Sequence, residues 1–147
     1  MANLMYNIGK VRLLGGATSA INYASDTIKA MAVGSGYSPN ADDQFIDAGG
    51  ANDPVDHRTA ATTDQTLANK VIGVDTTGDF AYIDADDVVY TSVTAGPAIE
   101  GIVIYKDTGT PTTCPMICYL DISVTPNGGN ITIQFAAPAS GGIAKMT

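Results

Sequence analysis

Ile99-Glu-Gly-Ile-Val-Ile-Tyr-Lys106, a Thr/Gly/Pro loop from Asp107 to Pro115, Met116-Ile-Cys-Tyr-Leu120, the turn Thr125-Pro-Asn-Gly-Gly129 and Ile131-Thr-Ile-Gln-Phe135 follow one another along the chain. β-Branched and aromatic runs bounded by turn residues read as strands, so this stretch predicts three successive antiparallel strands. Pro126 suits the first central position of a tight turn, and Asn127-Gly128 tolerates the left-handed backbone that follows.

The three strands differ in how their faces divide. In the last, Ile131, Ile133 and Phe135 point one way and Thr132 and Gln134 the other, the pattern of a half-buried strand. In the first, Ile102 and Ile104 oppose Val103 and Tyr105; in the second, Met116, Cys118 and Leu120 oppose Ile117 and Tyr119. Apolar residues on both faces need cover on both. A fully buried large apolar side chain contributes roughly 1.5–3 kcal/mol, so leaving the second face wet would forfeit several kcal/mol of a total near ~5–15. The sequence offers two covers, an N-terminal helix or another subunit.

That helix is predicted over Leu4 to Leu14, where Met1, Leu4, Ile8, Val11 and Leu14 recur at helical spacing and Gly15-Gly16 supplies a stop. Gly9 is its expected weak point. Further strands are expected at Ser25 to Val33, Leu67 to Asp75, Phe80 to Ile83, Val88 to Val93 and Ile143 to Met146, with loops at Gly34 to Asn40 and Ala48 to Thr63.

Fourteen Asp against one Glu, with five Leu against seventeen Thr and sixteen Gly, is a poor inventory for long helices. At 147 residues the chain suits one domain with a real core. The expected architecture is mainly β: a single antiparallel β-sandwich or barrel-like domain over 17–147, with one short N-terminal helix in an arm over 1–16.

A net charge of −8, with seven Lys and Arg scattered singly, opposes binding to nucleic acid or to an anionic membrane surface. The charge-free run Ile122 to Ala144 contains Pro126, Asn127, Gly128, Gly129 and Pro138 and reads as a hairpin rather than a span. The opening residues lack a signal-peptide pattern, which implies cytoplasmic synthesis. Cys114 and Cys118, four apart, would lie about 13 Å apart on a strand at ~3.3 Å per residue. That exceeds the ~7 Å a disulfide allows, so two reduced, apolar cysteines are expected.

Candidate chemistry is sparse. The one histidine, His57, stands in Asp53-Pro-Val-Asp-His-Arg58 without a nucleophile elbow and reads as a hydrogen-bonding loop residue. Asp84 and Asp86 alternate and Asp87 follows, but no Asp-x-Asp-x-Asp-Gly loop supplies the other oxygens calcium needs, and the group reads as a solvated turn. Zinc has no ligand set, and no glycine-rich phosphate loop follows a strand into a helix. No catalytic residue, cofactor or metal is assigned, and the expectation is a protein that binds rather than transforms.

Asp26-Thr-Ile-Lys29, Asn52-Asp-Pro-Val-Asp-His57, Asp84-Ala-Asp-Asp-Val88, Val103-Ile-Tyr-Lys-Asp-Thr-Gly109 and Thr125-Pro-Asn-Gly-Gly129 occur in that order. Together they resemble the signatures of a family of small virion structural proteins of tailed bacteriophages, some of which are head decoration, or cement, proteins. The resemblance runs from about Tyr6 to the C-terminus, and Arg58 to Gln65 is shorter than in relatives with a Gly/Tyr-rich insertion.

The resemblance implies a non-enzymatic protein on the outer capsid surface, tying the major capsid protein's assemblies together as a homotrimer. A tail or fibre-base component, or a receptor-binding module, is the alternative. The expected interface is Leu4, Tyr6, Ile8 and Val11 of the arm with Val103, Tyr105, Ile117 and Tyr119 of the two-faced strands, aided by the Ala48 to Thr63 loop.

Overall fold

The structure is a computed structural model that describes residues 3–16, 19–59 and 62–147; Met1 of the helical pattern and Ala60 and Ala61 of the long loop lie outside them. Its elements are β1 (Leu4–Met5), α1 (Asn7–Leu13), β2 (Ile28–Val33), β3 (Gln65–Thr66), β4 (Val71–Asp75) and β5 (Phe80–Asp84). There follow β6 (Val88–Tyr90), β7 (Ile99–Lys106), β8 (Met116–Val124), β9 (Ile131–Ile133) and β10 (Ala144–Met146). Single 3₁₀ turns begin at Pro54, Pro111 and Pro138, where the fixed φ of proline suits a first helical position.

All strand pairs are antiparallel, in sheets ordered β1-β8-β7-β2-β3, β10-β5-β4 and β6-β9. The domain is mainly β, sandwich-like, with one short helix. One face of the five-stranded sheet packs Ile28, Ala30 and Ala32 of β2, and Ile102 and Ile104 of β7, against Ile83, Val88, Tyr90, Ile131 and Ile133 of the two smaller sheets. Buried Tyr hydroxyls in this layer find carbonyls: Tyr90 donates to Ala30 O at 3.0 Å and Tyr23 to Asp84 O at 3.2 Å.

Two expectations about the deciding stretch are corrected. β7 and β8 form the central hairpin, but β9 does not continue it; Ile131–Ile133 pairs with β6, where Val88 faces Ile133 and Tyr90 faces Ile131. Nor does β8 alternate strictly. Ile104 lies opposite Cys118 while Tyr105 lies opposite Met116, leaving Ile117 as an extra, bulged residue. Beyond the bulge the parity inverts, so Ile117, Cys118 and Leu120 join the main core and Met116 joins Tyr119 on the other face. The two cysteines thus lie in different layers, Cys118 in the main core and Cys114 in the second, and both are free thiols.

Other expected strands are interrupted where the backbone turns left-handed. Leu67 to Asp75 breaks at Asn69 (φ 49°), which lets the chain leave β3 in one sheet for β4 in another; Val88 to Val93 ends before Ser92 (φ 50°).

The N-terminal helix is shorter than its periodicity predicts because Leu4 and Met5 pair with Tyr119 and Cys118 at the edge of β8. Tyr6 stays extended at the helix start, and its N–H donates to Ile117 O at 3.1 Å. At the far end Gly15 (φ 79°) closes a Schellman cap: Gly16 N–H donates to Val11 O and Gly15 N–H to Arg12 O. Gly9 proves to be a contact point rather than a weakness. A Cβ there would stand 2.6 Å from Met116 O and 2.9 Å from Ile117 O, so only glycine lets α1 lie this close to β8.

Candidate functional site

The second face of the five-stranded sheet carries Met31 and Val33 of β2, Val103 and Tyr105 of β7, and Met116 and Tyr119 of β8. Its cover comes from the chain itself. Residues 34–59 form an irregular strap that inserts Tyr37 and Ile46, with Val55 at its margin, while Tyr6 closes the β1 side. Tyr6 and Tyr37 share a buried hydroxyl–hydroxyl hydrogen bond of 2.6 Å, and burial pushes both phenols far above their ordinary range, so both stay protonated.

Backbone bonds sew the strap down. Met116 N–H donates to Gln44 O and Ile46 N–H to Cys114 O, while Gly34 N–H to His57 O and Thr59 N–H to Ala32 O pin its two ends to the end of β2. Within it, the buried Asp53 carboxylate accepts from Ala48 N–H at 2.8 Å and Gly50 N–H at 2.7 Å, holding the tight turn. Arg12 of α1 is buried: Nη1 donates to Gln44 O at 3.3 Å and the guanidinium lies 4.6 Å over the Phe45 ring. It clamps helix to strap, and burial lowers its pKa.

Of the eight residues expected at an interface, Tyr6, Val103, Tyr105, Ile117 and Tyr119 are buried within the chain. The folded surface does not present them: the strap occupies the place assigned to a partner over Tyr6, Val103, Tyr105 and Tyr119, and the bulge turns Ile117 into the main core. Leu4 and Ile8 are half-buried, and only Val11 is exposed.

A different apolar surface is exposed. β4 is the outer strand of the β10-β5-β4 sheet, and its Val71, Ile72 and Val74 are 48%, 56% and 67% exposed. Val71 and Ile72 project to opposite faces, so neither side of this strand is covered. Gly73, between Ile72 and Val74, lies under the Tyr82 ring of β5. Within Leu67 to Asp75 the sequence did show a β-branched run; what it lacked was any sign that the strand would lie at an edge.

Several charged groups are tied to one another. Asp64 accepts from Arg58 Nη2 at 2.9 Å and from the Tyr105 hydroxyl at 2.6 Å, beside the Lys29–Asp107 ion pair of 2.6 Å. The hydrogen bond from Lys29, then that from Gly109 N–H, holds the Asp107 carboxyl below its usual range. A carboxyl whose pKa is lowered by folding stabilises above its unfolded pKa of ~3.9 and loses that contribution as pH falls through the lowered value. Asp107→Asn is therefore expected to reduce stability at neutral pH and to flatten its acid dependence below about pH 4, read from urea midpoints.

Asp84, Asp86 and Asp87 do not converge: Asp86 accepts from Asn69 Nδ2 at 2.6 Å, Asp87 from Phe135 N–H at 2.8 Å, and the Asp84 side chain lies by Gly142. Among the described residues no His, Cys, Asp and Glu group is arranged to hold a metal ion. His57 sits on the strap with its ring against Gly36 and 6.3 Å from Tyr37. Burial pushes the Cys118 thiol up to about 12. Cys118 is accordingly expected to resist iodoacetamide in the folded protein and to react once urea unfolds it, as mass spectrometry would show.

No helix among the described residues is long and apolar enough to cross a membrane. No protein-family model, curated protein or solved structure matches the chain.

Proposed function

We propose that this chain is a non-enzymatic structural protein of a tailed-phage virion, a decoration protein that binds the outer face of the head and stabilises capsid contacts as a homo-oligomer. The observation that carries the reading is β4, an apolar strand at the edge of its sheet on an acidic body. Natural proteins protect such edges with charge, proline or cover, and an unprotected one is a template for pairing.

The strap removes the first reason for expecting a trimer, since the second face needs no partner. β4 supplies another, because its side chains and unpaired backbone groups gain from burial against a copy or against the capsid. Each such contact is small, and several made by one rigid oligomer add through effective concentration. The negative charge of −8 suits the outer surface, away from the genome. The ordered strings from Asp26-Thr-Ile-Lys29 to Thr125-Pro-Asn-Gly-Gly129 support the phage assignment.

Gold-labelled antibody against the protein, applied to particles of the phage that encodes it, tests the reading. Label over the heads is expected. Label confined to tails assigns the tail or fibre-base role instead, and unlabelled particles overturn the virion reading.

A further inference from the structure

We propose that the groove between β1 and β10 is a docking site for an extended, acidic peptide segment of a partner protein. Among the described residues β1 is hydrogen-bonded only to β8 and β10 only to β5, so each is the outer strand of its sheet, and both line the same groove. Its floor is Cys118 to Leu120 of β8, and it encloses ≈ 510 Å³, within the ~300–1,000 Å³ of ordinary ligand clefts. Unpaired strand edges recognise an extended backbone, which can add its own N–H and C=O groups to the ladder.

The sign of the occupant follows from charge. The chain has fifteen acidic residues, yet none lines this groove, while Lys10 and Lys145, two of only seven basic residues, do. Neither lysine meets a carboxylate: Lys10 Nζ lies 3.5 Å from Asn7 Oδ1, and Lys145 Nζ lies 5.1 Å over the Phe80 ring. Both are exposed and able to turn towards a bound strand. A groove lined by two lysines and no acidic side chain favours an acidic segment. The site stands apart from the capsid reading, because β10 and β4 are opposite edges of one sheet.

The test pans the full chain against a displayed library of random peptides about eight residues long, enough for an ordinary strand and its flanks. Enriched peptides are synthesised and their binding measured by fluorescence polarisation to the wild type, to Lys10→Glu/Lys145→Glu and to the milder Lys10→Ala/Lys145→Ala. Net-negative peptides are expected, with affinity about tenfold lower for the charge-reversed protein and less reduced for the alanine variant. Hydrogen exchange should slow at the amides of Leu4, Met5 and Ala144 to Met146 in the complex. Failure to enrich any peptide, enrichment of neutral or basic ones, equal binding by both variants, or protection elsewhere overturns the proposal.

Discussion

Ile46→Ala is expected to cost about 2–5 kcal/mol of folding stability, the range for emptying a core position, although the residue sits in an irregular segment. Ile46 is 2% exposed and fills the space between the strap and the second face of the main sheet, with Met31, Val103 and Met116 in the same layer. Alanine removes three carbons there and leaves a cavity that the strap, tied by Ile46 N–H to Cys114 O and by Met116 N–H to Gln44 O, cannot collapse to fill. Chemical denaturation would measure it. A loss under about 0.5 kcal/mol, normal for a surface loop, would mean that the strap does not seal the sheet.

Gly9→Ala has an expected sign opposite to that of helix propensity. Propensity alone predicts a gain of about 1 kcal/mol for this exchange in a helix. The new methyl, however, would meet the carbonyl oxygens of Met116 and Ile117 at 2.6 and 2.9 Å, and these belong to the backbone of a central hairpin strand. Overpacking of this kind costs about 1–3 kcal/mol. A net loss of stability, with β1 and α1 lifted from β8, is the expected result; a gain would place the helix farther from the sheet than described.

A milder effect tests the same seam from the other side. Tyr6→Phe is expected to cost about 1 kcal/mol, because the hydroxyl left on Tyr37 retains only a 3.9 Å contact with Met116 Sδ. The Tyr6→Phe/Tyr37→Phe pair should lose less than the two single changes added, since neither hydroxyl is then left alone.

Periodicity read part of this fold well and part not at all, for identifiable reasons. The opposed faces of Ile102/Ile104 and Val103/Tyr105, and of Ile28/Ala30/Ala32 and Met31/Val33, are visible in the order of residues, and both layers exist. The bulge at Ile117 is not visible, because an extra residue in one strand depends on the register of its partner. The strap has no period to mark it as core, because Tyr37 stands alone among Gly, Ser and Pro and Ile46 has only Phe45 beside it among Gln and Asp. Arg12 looks like any solvated helix residue until Gln44 and Phe45 arrive from far along the chain. The exposed edge of β4 likewise depends on sheet order, which local sequence does not encode.

The claim on which the functional reading turns is that this protein acts by adhesion through β4 and not through the sealed second face. The direct measurement is the occupancy of heads stripped of the protein and then incubated with wild type or with Ile72→Lys/Val74→Lys, whose altered side chains are already 56% and 67% exposed. Wild type is expected to rebind the heads, and the double variant to lose rebinding while keeping its melting temperature. Equal rebinding by the two proteins, or none by the wild type, would contradict it.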